Sequence, residues 1–251
     1  MSVTASAVET ATGAALGAAF RAAAAVRAAK PLHPRGVVVQ ARLHRRGSVE
    51  RWGSPWLDEP GEDSGVARLS RSAGVPSPLP DVLGLALRLR GRDGAVHDLL
   101  LASTGVSPGA RFLLWPRWDP ASATYTSLLP YRSATGCSVW LAALPVGLRR
   151  LPSEPGALPA ELAREPLRLE LAAATGTGPW QPVGTLEVFA DGTEADTPVS
   201  FDPVLNPLPG LWLPGPLARV RAMSYTGARA GRGAGADQLT AVPAGLTPPG
   251  A

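Results

Sequence analysis

The apolar residues of this chain come in short runs, and nearly every run is closed by Gly or Pro. Val37–Leu43, Leu83–Leu89, His97–Ala102 and Ser138–Leu144 are too short for typical helices and rich in Val and Leu. Leu167–Ala173 sets Leu169 and Leu171 against Arg168 and Glu170. Val183–Phe189 sets Val183, Thr185 and Glu187 against Leu186 and Val188. Both have the period of two that places alternate side chains on opposite faces of a strand. Asp93-Gly94 between two such runs is a strong hairpin signal, because Gly takes the positive φ of a tight turn without steric cost. The 28 Gly and 27 Pro supply punctuation for six to eight short strands. That pattern predicts a closed antiparallel barrel or a sandwich.

Further strands are expected at Val66–Ser70 and Phe112–Trp115. Arg45–Ser64, with Trp52 and Trp56, reads as a loop or long hairpin connection, Ser72–Pro80 as a turn-rich connector, and Pro116–Ser133 as irregular. A short helical turn is expected near Ala160, and loop from Thr193 to the segment around Tyr225. A helix is expected only at the start, over Thr12–Ala29, where Ala dominates and Pro31 stops it. The expected division is a flexible start over residues 1–11, one domain over residues 12–232, and a flexible tail over residues 233–251.

Composition narrows the function. Net charge is +4, carried almost wholly by Arg, with no run of five like charges. Arg219, Arg221, Arg229 and Arg232 could grip phosphates, but no aromatic residues for stacking interleave with all four. Cys137 is the only cysteine, which excludes an internal disulfide and a cysteine-based zinc site, and a cytoplasmic location is expected. No uncharged run reaches the ~18 residues of a membrane span. The chain carries no Gly-x-Ser-x-Gly elbow, no His-Glu-x-x-His pair and no phosphate loop.

Near the end, Tyr225 stands four residues after Arg221 and seven before Arg232. A phenol ordinarily titrates near pH ~10, and nearby guanidinium groups favour its anion. One use of an activated phenolate is axial ligation of haem iron. Taken singly, Tyr225 reads as a packing residue, His33 as a half-buried loop histidine, and Arg68 and Ser70 as one face of a short strand.

Taken in order, these segments resemble the haem-dependent catalase superfamily, in its minimal, catalase-related peroxidase form. The family's distal Arg-x-x-His-x-Arg-Gly is matched by Lys30-Pro-Leu-His33-Pro-Arg35-Gly36. Its Arg-Phe-Ser strand is matched by Arg68-Leu-Ser70 with Gly74, and its Asp-x-x-Gly-x-Ala strand by Asp81-Val-Leu-Gly84-Leu-Ala86. Asp98-Leu99, Pro182-Val-Gly184, Phe201-Asp-Pro203 and Pro209-Gly210-Leu211 follow, and Arg221, Tyr225 and Arg232 reproduce the proximal spacing.

The resemblance covers roughly residues 20 to 232 and implies an α+β fold. In it, a closed antiparallel barrel of the catalase type is flanked by an N-terminal helix and a C-terminal proximal helix. It implies haem b as cofactor, with Tyr225 as the iron ligand and Arg221 holding that oxygen deprotonated. His33 would be the acid–base group and Ser70 would orient it. Arg68, Arg232 and Lys30 would pair with the haem propionates. The implied partners are hydrogen peroxide or organic peroxides and a small organic co-substrate, with no nucleic acid and no membrane. A monomer or homodimer is expected, because the long exchanging arms of fuller catalases are absent.

The chain departs from the family at one informative point. The family's Asp-Leu-x-Gly-Asn-Asn-Thr appears as Asp98-Leu-Leu-Leu-Ala102-Ser103-Thr104, so the peroxide-binding Asn is replaced by Ala102 unless Ser103 takes the role. That departure predicts peroxidase-like turnover with weak or no catalase activity. The competing reading keeps the barrel as a haem-free scaffold or small-molecule-binding protein.

Overall fold

The computed structural model describes residues 35–72, 75, 77–105, 107–192 and 199–214. The predicted Thr12–Ala29 helix, the proximal segment around Tyr225 and both termini lie outside the described residues.

Ten strands form in chain order: β1 (Arg35–Arg46), β2 (Pro60–Arg71), β3 (Leu83–Arg90), β4 (Val96–Ser103), β5 (Tyr125–Thr126), β6 (Tyr131–Ser133), β7 (Ser138–Pro145), β8 (Leu167–Thr175), β9 (Gln181–Phe189) and β10 (Leu211–Trp212). All pairings are antiparallel. The sheet runs β7-β5-β4-β3-β2-β1-β9-β8 and closes on itself through β7–β8, with β6 and β10 extending it beside β7. The result is a closed eight-stranded barrel, one of the two architectures that the spacing of the runs predicts. Closure removes the open edges that would otherwise invite pairing with other chains.

Alternation explains which side chains fill it. Val37, Val39, Ala41 and Leu43 of β1 point inward with Ala67 and Leu69 of β2, Leu83 to Leu89 of β3 in alternate positions, and Leu99 and Leu101 of β4. Leu167, Leu169, Leu171 and Ala173 meet them from β8, and Leu186 and Val188 from β9. An irregularity between Leu171 and Ala172 shifts the β8–β9 register, so the period of two in β9 is read from a new phase.

The β1–β2 connection is shorter than the sequence predicts. Pairing continues to Arg46 opposite Pro60, so polar Glu62, Asp63 and Ser64 are strand residues and not loop. Asp63 points inward, where its carboxylate accepts from Arg45 Nε at 2.8 Å and Trp56 Nε1 at 2.9 Å. The hairpin tip folds into a short helix, α1 (Pro55–Asp58), tied by Asp58 accepting from the backbone N–H groups of Trp52, Gly53 and Ser54. Trp52 and Trp56 are thereby buried at that end of the barrel.

The other end is filled by α2 (Leu158–Arg164), which puts Leu158 and Leu162, one turn apart, into the core. The helical turn expected near Ala160 is this helix. The cavity beside it, lined by Leu69, Leu83, Tyr125 and Leu158 among others, has about 10 Å³ of room, that of a single water.

Two other expectations need correcting. Phe112–Trp115 is no strand: Ala110–Phe112 is a 3-10 turn, and Leu114 makes only an isolated bridge to Thr104. Pro116–Ser133 contains β5 and β6, too short to show a period. Among the described residues, no helix is long and apolar enough to cross a membrane.

Candidate functional site

Because the inward positions are packed, any sizeable ligand must meet the barrel from outside. On β1 to β4 the outward positions fall into register rows. The first is Gly36, Ser70, Gly84 and Ala102; the second is Val38, Arg68, Ala86 and Leu100; the third is Gln40, Val66, Arg88 and Asp98. The first two rows are small or apolar apart from Ser70 and one guanidinium.

Arg68 and Ser70 are therefore on one face, as the spacing predicts, and that face is the outer one. Arg68 reaches along it toward the start of β1: a Cβ on Gly36 would stand 2.7 Å from its guanidinium carbon. Gly36 is thus the residue that lets the arginine lie flat against β1. Ser70 is buried and its hydroxyl donates to the Gly84 carbonyl at 3.4 Å. Ala102 is buried in the same row.

Ser103 cannot take the role of an amide on this face. It sits on the opposite side of β4, fully buried, where its hydroxyl donates to the Trp115 carbonyl at 2.7 Å and accepts from the Leu83 N–H at 2.9 Å. Period two alone places it there, and both hydrogen bonds hold it there.

The third row holds a group that sequence reasoning missed. Arg88 and Asp98, both with 0% exposed side chains, form a two-pronged ion pair at 2.8 and 2.7 Å. Asp98 also accepts from the Asp202 N–H at 2.6 Å and Asn206 Nδ2 at 3.0 Å. Arg88 donates to the Ser200 carbonyl, and its guanidinium lies 5.5 Å from the Phe201 ring centre. This network straps residues 199–206 across the outer face, where Phe201 packs on Val38 and Val66. The resemblance accounts for Asp98 only as part of a strand motif and says nothing of a partner. The available signal was an Arg in the outward phase of the Leu-rich Leu83–Leu89 run.

The described histidines and tyrosines stand apart from this face. His44 is exposed beside Glu62, and His97 Nδ1 contacts the Pro207 carbonyl at 2.9 Å, so both are engaged away from the Arg68 face. Tyr125 is buried with its hydroxyl donating to Pro120. Burial first, and the Asp119 carboxylate second, push its phenol far above the ordinary value, so it is no phenolate. Tyr131 is likewise buried. Lys30, His33, Arg221, Tyr225 and Arg232 lie outside the described residues. Among the described residues, no three His, Cys, Asp or Glu side chains gather as a metal site.

The described part of the face suits a flat, largely apolar macrocycle bearing carboxylates. Gly36, Gly84 and Ala102 add little side-chain bulk to the first row, and Arg68 stands beside it in the second, whose Val38 and Ala86 pack with Phe201. An anion brought against such a surface needs a paired cation.

The barrel is of the catalase type. No protein-family model and no curated protein matches the chain. Solved structures do: a fungal catalase superposes with a TM-score of 0.64 at 13% identity, over 84% of this chain and 61% of that one. Catalase A from Saccharomyces cerevisiae gives 0.62 at 12% identity, over 79% of this chain and 60% of that one. The chain spans about three fifths of the length of these catalases. At these identities the likeness establishes the fold.

Proposed function

We propose that the outer face of β1–β4 is one wall of a haem pocket, and that the protein is a peroxidase-like oxidoreductase with weak or no catalase activity. Its substrates would be hydrogen peroxide or organic peroxides, with a small organic co-substrate as reductant. The observation that carries this reading is the convergence of Gly36, Arg68, Ser70, Gly84 and Ala102 on one face of a catalase-type barrel.

Haem supplies the redox chemistry when bound; the chain's residues supply position and charge. Tyr225 would hold the iron through its phenolate, with Arg221 stabilising that anion. Lys30, Arg68 and Arg232 would pair with the carboxylates of the group. His33, as a neutral imidazole, would take a proton from one peroxide oxygen and return it to the other, a task suited to a group titrating near pH ~6.5. Ser70 would orient that imidazole. Ala102 presents a methyl where an amide would bind peroxide, which disfavours fast disproportionation and leaves a more apolar wall for organic peroxides.

The test is a visible spectrum of the full chain reconstituted with haemin. The reading requires a Soret band that Tyr225→Phe abolishes or shifts, together with co-substrate oxidation that outpaces oxygen release. Absence of the band leaves a catalase-type scaffold without haem, and a band indifferent to Tyr225→Phe overturns the assignment of Tyr225 as the iron ligand.

A further inference from the structure

On another side of the barrel, three buried N–H donors have no acceptor. The Ala110–Phe112 turn lies over the outer face of β5, β7 and β8: the Thr126 hydroxyl donates to the Arg111 carbonyl at 2.9 Å, and Ala110 packs against Gly105. The turn delivers Arg111 to a place where it is only 2% exposed. Its guanidinium stacks 4.2 Å from the Trp180 ring centre, and one terminal nitrogen donates to the Gly176 carbonyl at 3.3 Å. Among the described residues it forms no ion pair. Next to it, Phe112 packs edge-on against Trp140, with ring centres 5.4 Å apart. Trp140 stands opposite Ala174 in the β7–β8 ladder, two residues from the carbonyl that Arg111 touches.

Arg111 Nε, Trp140 Nε1 and Trp180 Nε1 are all buried and none meets an acceptor. A buried unpaired donor costs free energy, and a buried guanidinium without an anion costs more. Burial pulls the Arg111 pKa below its ordinary value, the direction expected of a cation with no counter-charge. The three groups are donors only: neither indole nor guanidinium offers an acceptor. They therefore select against cations and against ligands that must donate. The surroundings are aromatic on two sides, with Ala142 and Ala174 beneath. A planar anion with a small apolar body answers both the missing charge and the aromatic walls.

We propose that Arg111, Trp140 and Trp180 form a binding site for a small organic carboxylate on the outer face of β7 and β8. The site is separated from the Arg68 face by β5 on one side and β9 on the other. It does not depend on the peroxide reading. The half-buried Trp180, on the turn joining β8 and β9, forms its rim.

The experiment uses the full-length, 15N-labelled protein. All seven indole N–H signals are followed while sodium benzoate, then sodium acetate, replaces sodium chloride at constant ionic strength. The expected result is a saturable shift of two signals, assigned by their loss in Trp140→Phe and Trp180→Phe. Those two variants keep aromatic packing and remove one donor each. Arg111→Lys should weaken the affinity at least about tenfold, the loss expected for charge-assisted bonds. Sulfate should not reproduce the shift. The proposal is overturned if neither carboxylate gives saturation, or if all seven signals drift together. It is equally overturned if the shift survives Trp140→Phe, Trp180→Phe and Arg111→Lys unchanged in affinity.

Discussion

Removing the Asp98 carboxylate gives the most direct check on how the outer face is held. In Asp98→Ala, Arg88 keeps its contact with the Ser200 carbonyl and the Phe201 ring, but loses both oxygens at 2.8 and 2.7 Å. The Asp202 N–H and Asn206 Nδ2 lose their acceptor as well. Breaking a buried ion pair from one side costs about 3–5 kcal/mol, because the surviving charge stays buried. The remaining Arg88 contacts place this case at the lower end, about 3 kcal/mol. In a domain of this size each kcal/mol shifts Tm by about 2–4 °C, so melting should fall by about 6–12 °C. Thermal melts and urea titrations on the same samples measure this. Hydrogen exchange should quicken at the Asp202 amide before the barrel strands respond. The double variant Arg88→Met, Asp98→Leu should recover only part of the loss: it removes the stranded charge, but the Ser200 carbonyl, Asp202 N–H and Asn206 Nδ2 still lose the partners that the pair gave them. A fall below about 1 kcal/mol for Asp98→Ala would show that the pair is not the fastening described.

Three further outcomes are expected. Gly36→Ala puts a methyl 2.7 Å from the Arg68 guanidinium carbon and 2.9 Å from the Leu69 carbonyl, so it should destabilise by about 1–3 kcal/mol, read by urea unfolding. Tyr125 is held protonated in the fold, whereas its unfolded phenol loses its proton near pH ~10. Its contribution is therefore complete below that pH and falls away as pH rises above it, and Tyr125→Phe should flatten the alkaline limb of a stability–pH curve. Ala102→Asn returns an amide to the first row of the face; under the peroxide reading, oxygen release from hydrogen peroxide should rise about tenfold or more.

What the sequence made legible follows from what repeats in it. The β3–β4 hairpin was plain because Leu alternates for a full strand and Asp93-Gly94 marks the turn, where Gly94 takes φ of 78°. The first half of β2 was not, because Glu62, Asp63 and Ser64 break the apolar run; Asp63 is inward only because Arg45 and Trp56 satisfy it across the hairpin. β5 and β10 have two residues each, fewer than a period needs, and owe their existence to neighbouring strands. The phase of Arg68 and Ser70 was readable from spacing, and so was the opposition of Ala102 and Ser103. The Arg88–Asp98 fastening and the Arg111 turn were not, since each joins segments whose proximity only tertiary structure creates.

A staved wall filled to the middle with leucine has no lumen to lend. Its inside positions are committed to packing, so any ligand has to be met by the outside ones, which also carry the Arg88–Asp98 fastening. Volume-matched swaps at Leu87 or Leu171 should thus alter melting without touching ligand choice. Changes in the first row, at Gly84 or Ala102, would instead bear on what meets the outer face, so that a lineage could replace its guest while keeping the same keg.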